Sequence, residues 1–223
     1  MAIKKTEIKL DVKGKSVNAY LASPSNGGPG VLVLHAWWGL KPFFKEVCDR
    51  LAEAGFTALA PDLRDGQIAE TIEAAKELMQ KSDEQYAGDV ATVAKDHLLG
   101  LTKNKIGVIG FSMGAWWSMV LAASEPQVCA TVLFYGVGMA DFTTVKSKVL
   151  GHFAEVDEWE PLEGVKEMEQ GLKDAGVDAA VHIYPGVGHW FVEEDRPEYD
   201  SAAATLAWER TCEFLHSSLR GAA

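Results

Sequence analysis

Ser112 lies in Gly110-Phe111-Ser112-Met113-Gly114, a G-x-S-x-G pentapeptide placed directly after the apolar run Ile106–Ile109 and before an apolar helical pattern. A serine hydroxyl on a sharp strand-to-helix turn is lifted clear of its sheet, and small residues on either side are needed because side chains would clash there. The helix N-terminus behind it favours developing negative charge. Such a serine is a nucleophile only if a base takes its proton, and the base works only if a carboxylate orients it. Where serine sits on an elbow of this kind, the acid and then the histidine follow it in the chain.

Four histidines follow Ser112: His152, His182, His189 and His216. His152 and His182 fall inside strand patterns, and His216 is expected on the exposed side of the last helix. His189 follows a strand in Pro185-Gly186-Val187-Gly188-His189-Trp190, a loop flexible enough to bend back over the serine, and is the expected base. Asp157, in Glu155-Val156-Asp157 at the exit of a strand, is the expected acid. Asp141, after the preceding strand, is the alternative, and Glu155 and Glu158 read as a solvated acidic loop. The oxyanion needs two backbone N–H donors. One is expected from Met113, after the nucleophile, and the other from Trp37 in the loop His35-Ala36-Trp37-Trp38-Gly39. His35 itself is expected to shape that loop.

Tryptophans mark the same loops: Trp37 and Trp38, Trp116 and Trp117 after the elbow, Trp159 after the acid, and Trp190 after the histidine. Trp38, Trp159 and Trp190 are candidate walls of an apolar pocket, with Trp37 leaning the same way. For Trp116 and Trp117 core packing is the expected role.

The elements that must position these groups are legible from periodicity. Thr6–Val12 and Val17–Ser23 alternate and read as an antiparallel pair turning at Gly14. From there strands and helices alternate. The continuous apolar runs Val31–Leu34, Thr57–Ala60, Ile106–Ile109, Val128–Tyr135, Val149–Phe153 and Ala179–Tyr184 are expected as strands. Helices are expected over Phe43–Ala54, Ile68–Gln80, Gln85–Leu98, Met113–Ala123, Leu162–Ala175 and Ser201–Leu219. The pattern predicts an α/β protein with a mostly parallel central sheet and helices on both faces. In such sheets ligands bind at the carboxyl ends of the strands, where Ser112, Asp157 and His189 all fall. No linker or repeat divides the chain, so one domain over residues 1–223 is expected.

Composition sets limits on partners. The 223 residues carry 32 acidic against 21 basic side chains, a formal charge of -11. No basic face is available to displace counterions from nucleic acid, and an anionic membrane surface repels such a chain. The uncharged stretch Ile106–Ser124 approaches a membrane span in length, but the glycine-flanked turn in its middle reads as strand, elbow and buried helix. Three cysteines far apart, with no C-x-x-C, suit free thiols in the cytoplasm; Cys129 reads as a small core residue. The N-terminus lacks the apolar core of a secretory signal. No set of residues has metal-ligand spacing, so neither metal nor cofactor is expected. The oligomeric state is left open, a monomer being compatible with all of this.

The blocks HAWWGLKPFFKEVCDRLAEAGFTALAPDL, GVIGFSMGA, GHFAEVDEWEP and YPGVGHWFVEEDRPEYDSAAATLAWERTCEFL together resemble the dienelactone hydrolase family of α/β-hydrolases, from the first strands to the last helix. The resemblance implies the α/β-hydrolase fold without a separate lid domain, a triad on Ser112, Asp157 and His189, and no metal. Two positions depart from the founding members, which use cysteine where Ser112 stands and carry a glutamate at the position matching Ala36. Those members hold anionic substrates with arginines, and Arg64 and Arg196 are the candidates for that task here. The activity implied is hydrolysis of a small carboxylic ester or lactone through an acyl-enzyme. The reading from a different class is a non-catalytic α/β-hydrolase fold that binds a small molecule.

Overall fold

A computed structural model describes residues 2–103 and 105–219. Within it the chain divides into two compact units, Met1–Ile106 and Gly107–Ala223; residues 1 and 220–223, at the ends of the expected single domain, lie outside the described residues.

In the first unit, β1 (Ile3–Val12) and β2 (Lys15–Pro24) pair antiparallel in register from Ile3 opposite Pro24 to Val12 opposite Lys15. The two-residue turn between them places Lys13 and Gly14 at φ 54° and 81°. Positive φ at both centres matches the right-handed twist of the flanking strands. β3 (Gly30–Leu34) and β4 (Thr57–Pro61) are buried at every position and pair in parallel, and β2 runs antiparallel to β4, giving the order β1-β2-β4-β3. The crossover from β3 to β4 is α1 (Pro42–Glu53). Pro42 opens it, where the missing N–H costs nothing. Phe44, Val47, Cys48, Leu51 and Ala52 form its buried stripe. Gly55, at φ 99°, stops it as the Phe56 amide turns back to the Leu51 carbonyl (2.9 Å).

Two helices follow β4. α2 (Ile72–Lys81) begins four residues later than the apolar pattern implied, because Thr71 accepts the Ala74 amide as N-cap and Ile68 is left exposed. α3 (Glu84–Thr102), capped by Asp83, runs past the expected end at Leu98 until Lys103 enters the left-handed region at φ 57°. Leu32, Leu34, Phe44, Leu51, Phe56, Leu59 and Leu98 are fully buried. Each such side chain contributes about 1.5–3 kcal/mol of burial.

The second unit continues with β5 (Ile106–Phe111), α4 (Met113–Ser124) and β6 (Val128–Phe134). A short 3-10 helix (Phe142–Thr144), β7 (Lys148–Ala154), α5 (Leu162–Asp174), β8 (Ala179–Tyr184) and α6 (Ser201–Leu219) complete it. The order is β5-β6-β7-β8. β6 pairs in parallel with β7, and β7 with β8. Ala207, Thr211, Leu215 and Leu219, four residues apart, are the buried edge of α6. Beneath it His152 is wholly enclosed, its Nδ1 2.9 Å from the Tyr184 hydroxyl and its Nε2 3.0 Å from Thr211 Oγ1. Burial, with His182 and Arg210 nearby, holds its pKa well below the ordinary histidine value, so it stays neutral. Cys129 and His216 are half-buried, rather than the first enclosed and the second exposed. Among the described residues no helix is long and apolar enough to cross a membrane, and no further domain is inserted between successive strands.

Candidate active site

Ser112 joins β5 to α4 at φ 50° and ψ −112°, a region side chains rarely enter. The strain is held by close packing on both sides. A Cβ on Gly110 would lie 2.2 Å from the Gly114 carbonyl oxygen, and one on Gly136 would lie 2.4 Å from the Ser112 carbonyl oxygen. The Ser112 amide donates to the Phe134 carbonyl (2.9 Å), and the Ser112 carbonyl accepts the Ala115 amide (2.8 Å) as α4 starts. The serine is thus fixed from the strand side and the helix side together.

His189 brings Nε2 to 3.0 Å from Ser112 Oγ. Its Nδ1 lies 2.8 Å and 3.0 Å from the two carboxylate oxygens of Asp157. Both side chains are almost completely enclosed. A carboxylate only accepts, so Nδ1 carries the hydrogen that points at Asp157, and the Nε2 lone pair faces the serine hydroxyl. The Asp157 loop is itself braced. Its Oδ1 accepts the amides of Trp159 (2.8 Å) and Glu160 (2.9 Å). The Val156 amide donates to the Val187 carbonyl (3.0 Å), and Glu155 accepts the Gly186 amide (2.9 Å). These last two bonds tie the loop carrying the acid to the loop carrying the histidine.

Asp141 does not join them. It is exposed and accepts the Thr143 amide and hydroxyl at the start of the short 3-10 helix. Glu155 spends its carboxylate on the Gly186 amide. Glu160, which sequence reasoning passed over, sits beside Asp157. Burial raises its pKa to about 7, the Asp157 charge adds to that, and a bond from the Val137 amide opposes it.

The tryptophans divide. Trp190 is buried and perpendicular to the His189 ring, centroids 5.0 Å apart, and the Arg196 guanidinium lies 4.5 Å from its centroid. Trp159 stands 5.7 Å from Trp190 and 6.5 Å from His189, and is 38% exposed. Trp38 is fully buried, and its backbone carbonyl takes the Ala69 amide (2.8 Å). Trp116 is 37% exposed and Trp117 half-buried, because the buried face of α4 is Ala115, Ser118, Met119, Leu121 and Ala122. Core packing, expected for both, does not hold for Trp116.

In the first unit, His35 accepts the Leu63 amide at Nε2 (2.9 Å) and donates from Nδ1 to the Ala36 carbonyl (2.7 Å). Burial lowers its pKa to about 4, so it is a neutral brace for the loop. Trp37, in the same loop, is half-buried. Arg64 is 5% exposed and bonded to Ser82 and Met79, at a cavity of about 200 Å3 shared with Lys15, Lys81 and Tyr86. Among the described residues no group of three histidine, cysteine or acidic side chains is arranged to hold a metal ion.

A serine strained on an elbow, hydrogen-bonded to a histidine that an aspartate holds, defines a class together with the strand order: an α/β-hydrolase. The solved structure of a protein from Klebsiella pneumoniae, titled provisionally as a dienelactone hydrolase, superposes with a TM-score of 0.87 at 25% identity. The match covers 96% of this chain and 99% of that one. The family model for the dienelactone hydrolase family matches residues 17–219, and the chain belongs to that family. Among its relatives, the protein called usf of Aquifex pyrophilus is 35% identical over 95% of this chain and 98% of its own length. A protein of Aquifex aeolicus, named provisionally a carboxymethylenebutenolidase, is 33% identical over 96% and 98%.

Proposed function

We propose that the protein is a serine hydrolase of small carboxylic esters or lactones. The observation that carries this reading is the chain of contacts from Ser112 Oγ to His189 Nε2 (3.0 Å) and from Nδ1 to Asp157 (2.8 Å). His189 takes the hydroxyl proton as Oγ attacks the carbonyl carbon, and Asp157 stabilises the imidazolium that forms. The oxyanion is assigned to the Met113 amide at the start of α4 and, on its place in the chain, to the Trp37 amide. His189 then returns the proton to the leaving oxygen. Water enters, gives a proton to Nε2 and attacks the acyl carbon, and His189 passes that proton to Ser112 Oγ as the acyl–oxygen bond breaks and the acid is released.

The name carried by the Aquifex aeolicus relative supports a lactone among the substrates. Trp159 and Trp190 are read as the aromatic side of the substrate pocket, with the Arg196 guanidinium over the Trp190 ring. Arg64 is given no part in it, since its guanidinium is taken up by Ser82 and Met79. The two compact units are read as halves of one α/β-hydrolase domain, which the family model supports by running across their boundary. Cytoplasmic residence, supported by three free cysteines, belongs to the same reading.

A fluorophosphonate serine probe tests it. The probe should label the protein once, at Ser112, and Ser112→Ala should abolish both labelling and hydrolysis of aryl esters and unsaturated lactones. A folded protein that takes no label, or takes it elsewhere, sinks the serine mechanism.

A further inference from the structure

Glu193 is a carboxylate with no exposed surface, four residues beyond His189. Its Oε1 accepts the hydroxyl of Tyr135 at 2.8 Å, across 58 residues of sequence. Tyr135 is equally enclosed and sits at φ 37°, one residue beyond the end of β6. Its amide donates to the His152 carbonyl (2.8 Å), while the carbonyl just before it, that of Phe134, takes the Ser112 amide. From this fixed and strained point the phenol ring reaches the imidazole of His189, centroids 4.9 Å apart and the planes tilted at 54°. It meets Phe191 on another side at 5.9 Å. Glu193 is held in turn by its own amide on the Trp190 carbonyl (2.9 Å) and by the Arg196 amide on its carbonyl (3.0 Å).

A buried carboxylate is costly, and an apolar side chain of the same volume commonly serves stability as well or better. Its presence therefore asks for a reason other than packing. We propose that Tyr135 and Glu193 are a positioning pair: their hydrogen bond pins the loop that carries His189 to the end of β6, whose Phe134 carbonyl holds the Ser112 amide. The inference rests on the hydrolase reading above, since it is Nε2 of His189 that the pair keeps within reach of Ser112 Oγ. Neither residue touches the reacting atoms. Burial, with the Glu193 charge second, drives the Tyr135 pKa well above its ordinary value, so the phenol remains a donor throughout the working pH range. Asp157 holds the imidazole through Nδ1, and the phenol ring packs against it at a tilt. A misplacement of about 1 Å at such a base costs on the order of a hundredfold in rate.

The experiment compares Tyr135→Phe, Glu193→Ala and Glu193→Gln with the parent. Rates on one aryl ester are divided by the number of serines that a fluorophosphonate labels, so that unfolded molecules do not count. Tyr135→Phe keeps the ring and loses only the donor. It should lower kcat per labelled serine by about ten- to a hundredfold with KM changed less than about twofold. Glu193→Ala should do the same, and Glu193→Gln, which keeps an acceptor, should recover most of the loss. The double variant Tyr135→Phe/Glu193→Ala should lose less than the product of the two single losses, because both changes remove the same bond. If Glu193→Ala does not fold, Tyr135→Phe and Glu193→Gln carry the test. A Tyr135→Phe protein that melts earlier but turns over at the parental rate per labelled serine would falsify the pairing and leave the hydrolase reading standing. A parent that takes no label fails both.

Discussion

Asp141 and Asp157 each lie in a loop that follows a strand of the second unit, and each accepts a backbone amide two residues ahead. Locally they do the same thing, bracing a turn with a carboxylate oxygen. They differ in what else reaches the carboxylate. Asp141 faces solvent and meets Thr143, whose hydroxyl bond is the first cause of its lowered pKa. Asp157 has its outer oxygen enclosed, and the imidazole Nδ1 of His189 closes on both oxygens. The turn chemistry of an aspartate therefore says little about its task. The long-range partner decides it, and that partner is supplied by the loop after β8.

The comparison is broken most severely by removing one charge from Asp157. Asp157→Asn keeps an oxygen for the Trp159 and Glu160 amides, so the turn and the melting temperature should persist. The amide favours the wrong imidazole tautomer, and kcat on an aryl ester should fall by roughly 10⁴. An unchanged rate in a folded Asp157→Asn protein would move the acid elsewhere.

Glu160 sharpens the same comparison by stability. Its folded-state pKa, about 7, is above the 4.5 of an ordinary glutamate, so the folded chain holds this proton more tightly than the unfolded one. The stability it contributes is complete below pH 4.5 and is lost as pH rises to 7. Glu160→Gln keeps the acceptor for the Val137 amide and cannot ionise. It should match the parent at pH 4 and exceed it at pH 8 by about 1–2 kcal/mol after allowance for partial exposure, a few degrees in Tm. Melting curves at the two pH values measure this, and equal Tm differences at both would refute it.

The smallest effect is predicted at the other loop. Asp141→Asn should leave kcat within about twofold of the parent and shift Tm by no more than about 2 °C, since surface substitutions of this kind change little. If this variant proves the crippled one, the contrast between the two turns has been drawn the wrong way round.

What the sequence made legible follows the range of the interactions. The elbow is local. Gly110, Ser112 and Gly114 specify it within five residues, and the structure has the same strand, turn and helix around them. Asp157 and His189 were reachable by counting strand exits, because each lies in the first loop after its strand. Helix limits slipped where a cap outweighed periodicity, as Thr71 does at the start of α2. Trp116, expected in the core, is exposed instead. An aromatic in a functional loop and one in a buried helix look alike until the buried face is known. Glu193 and Tyr135 were out of reach. Nothing in FYGVG or WFVEE marks a hydrogen bond between them, and a glutamate in an acidic run reads as solvated surface. Glu160 was hidden for the same reason.

The backbone at Ser112 has a consequence for how the chain could drift. A residue with a side chain held at φ 50° costs of order 1–3 kcal/mol, which glycine would escape. Judged by folding alone, the best occupant of that position is one with no hydroxyl at all. Keeping a serine there costs this protein stability that a glycine would return. A search for thermostable variants that screens for melting temperature without screening for turnover would be drawn towards discarding the nucleophile.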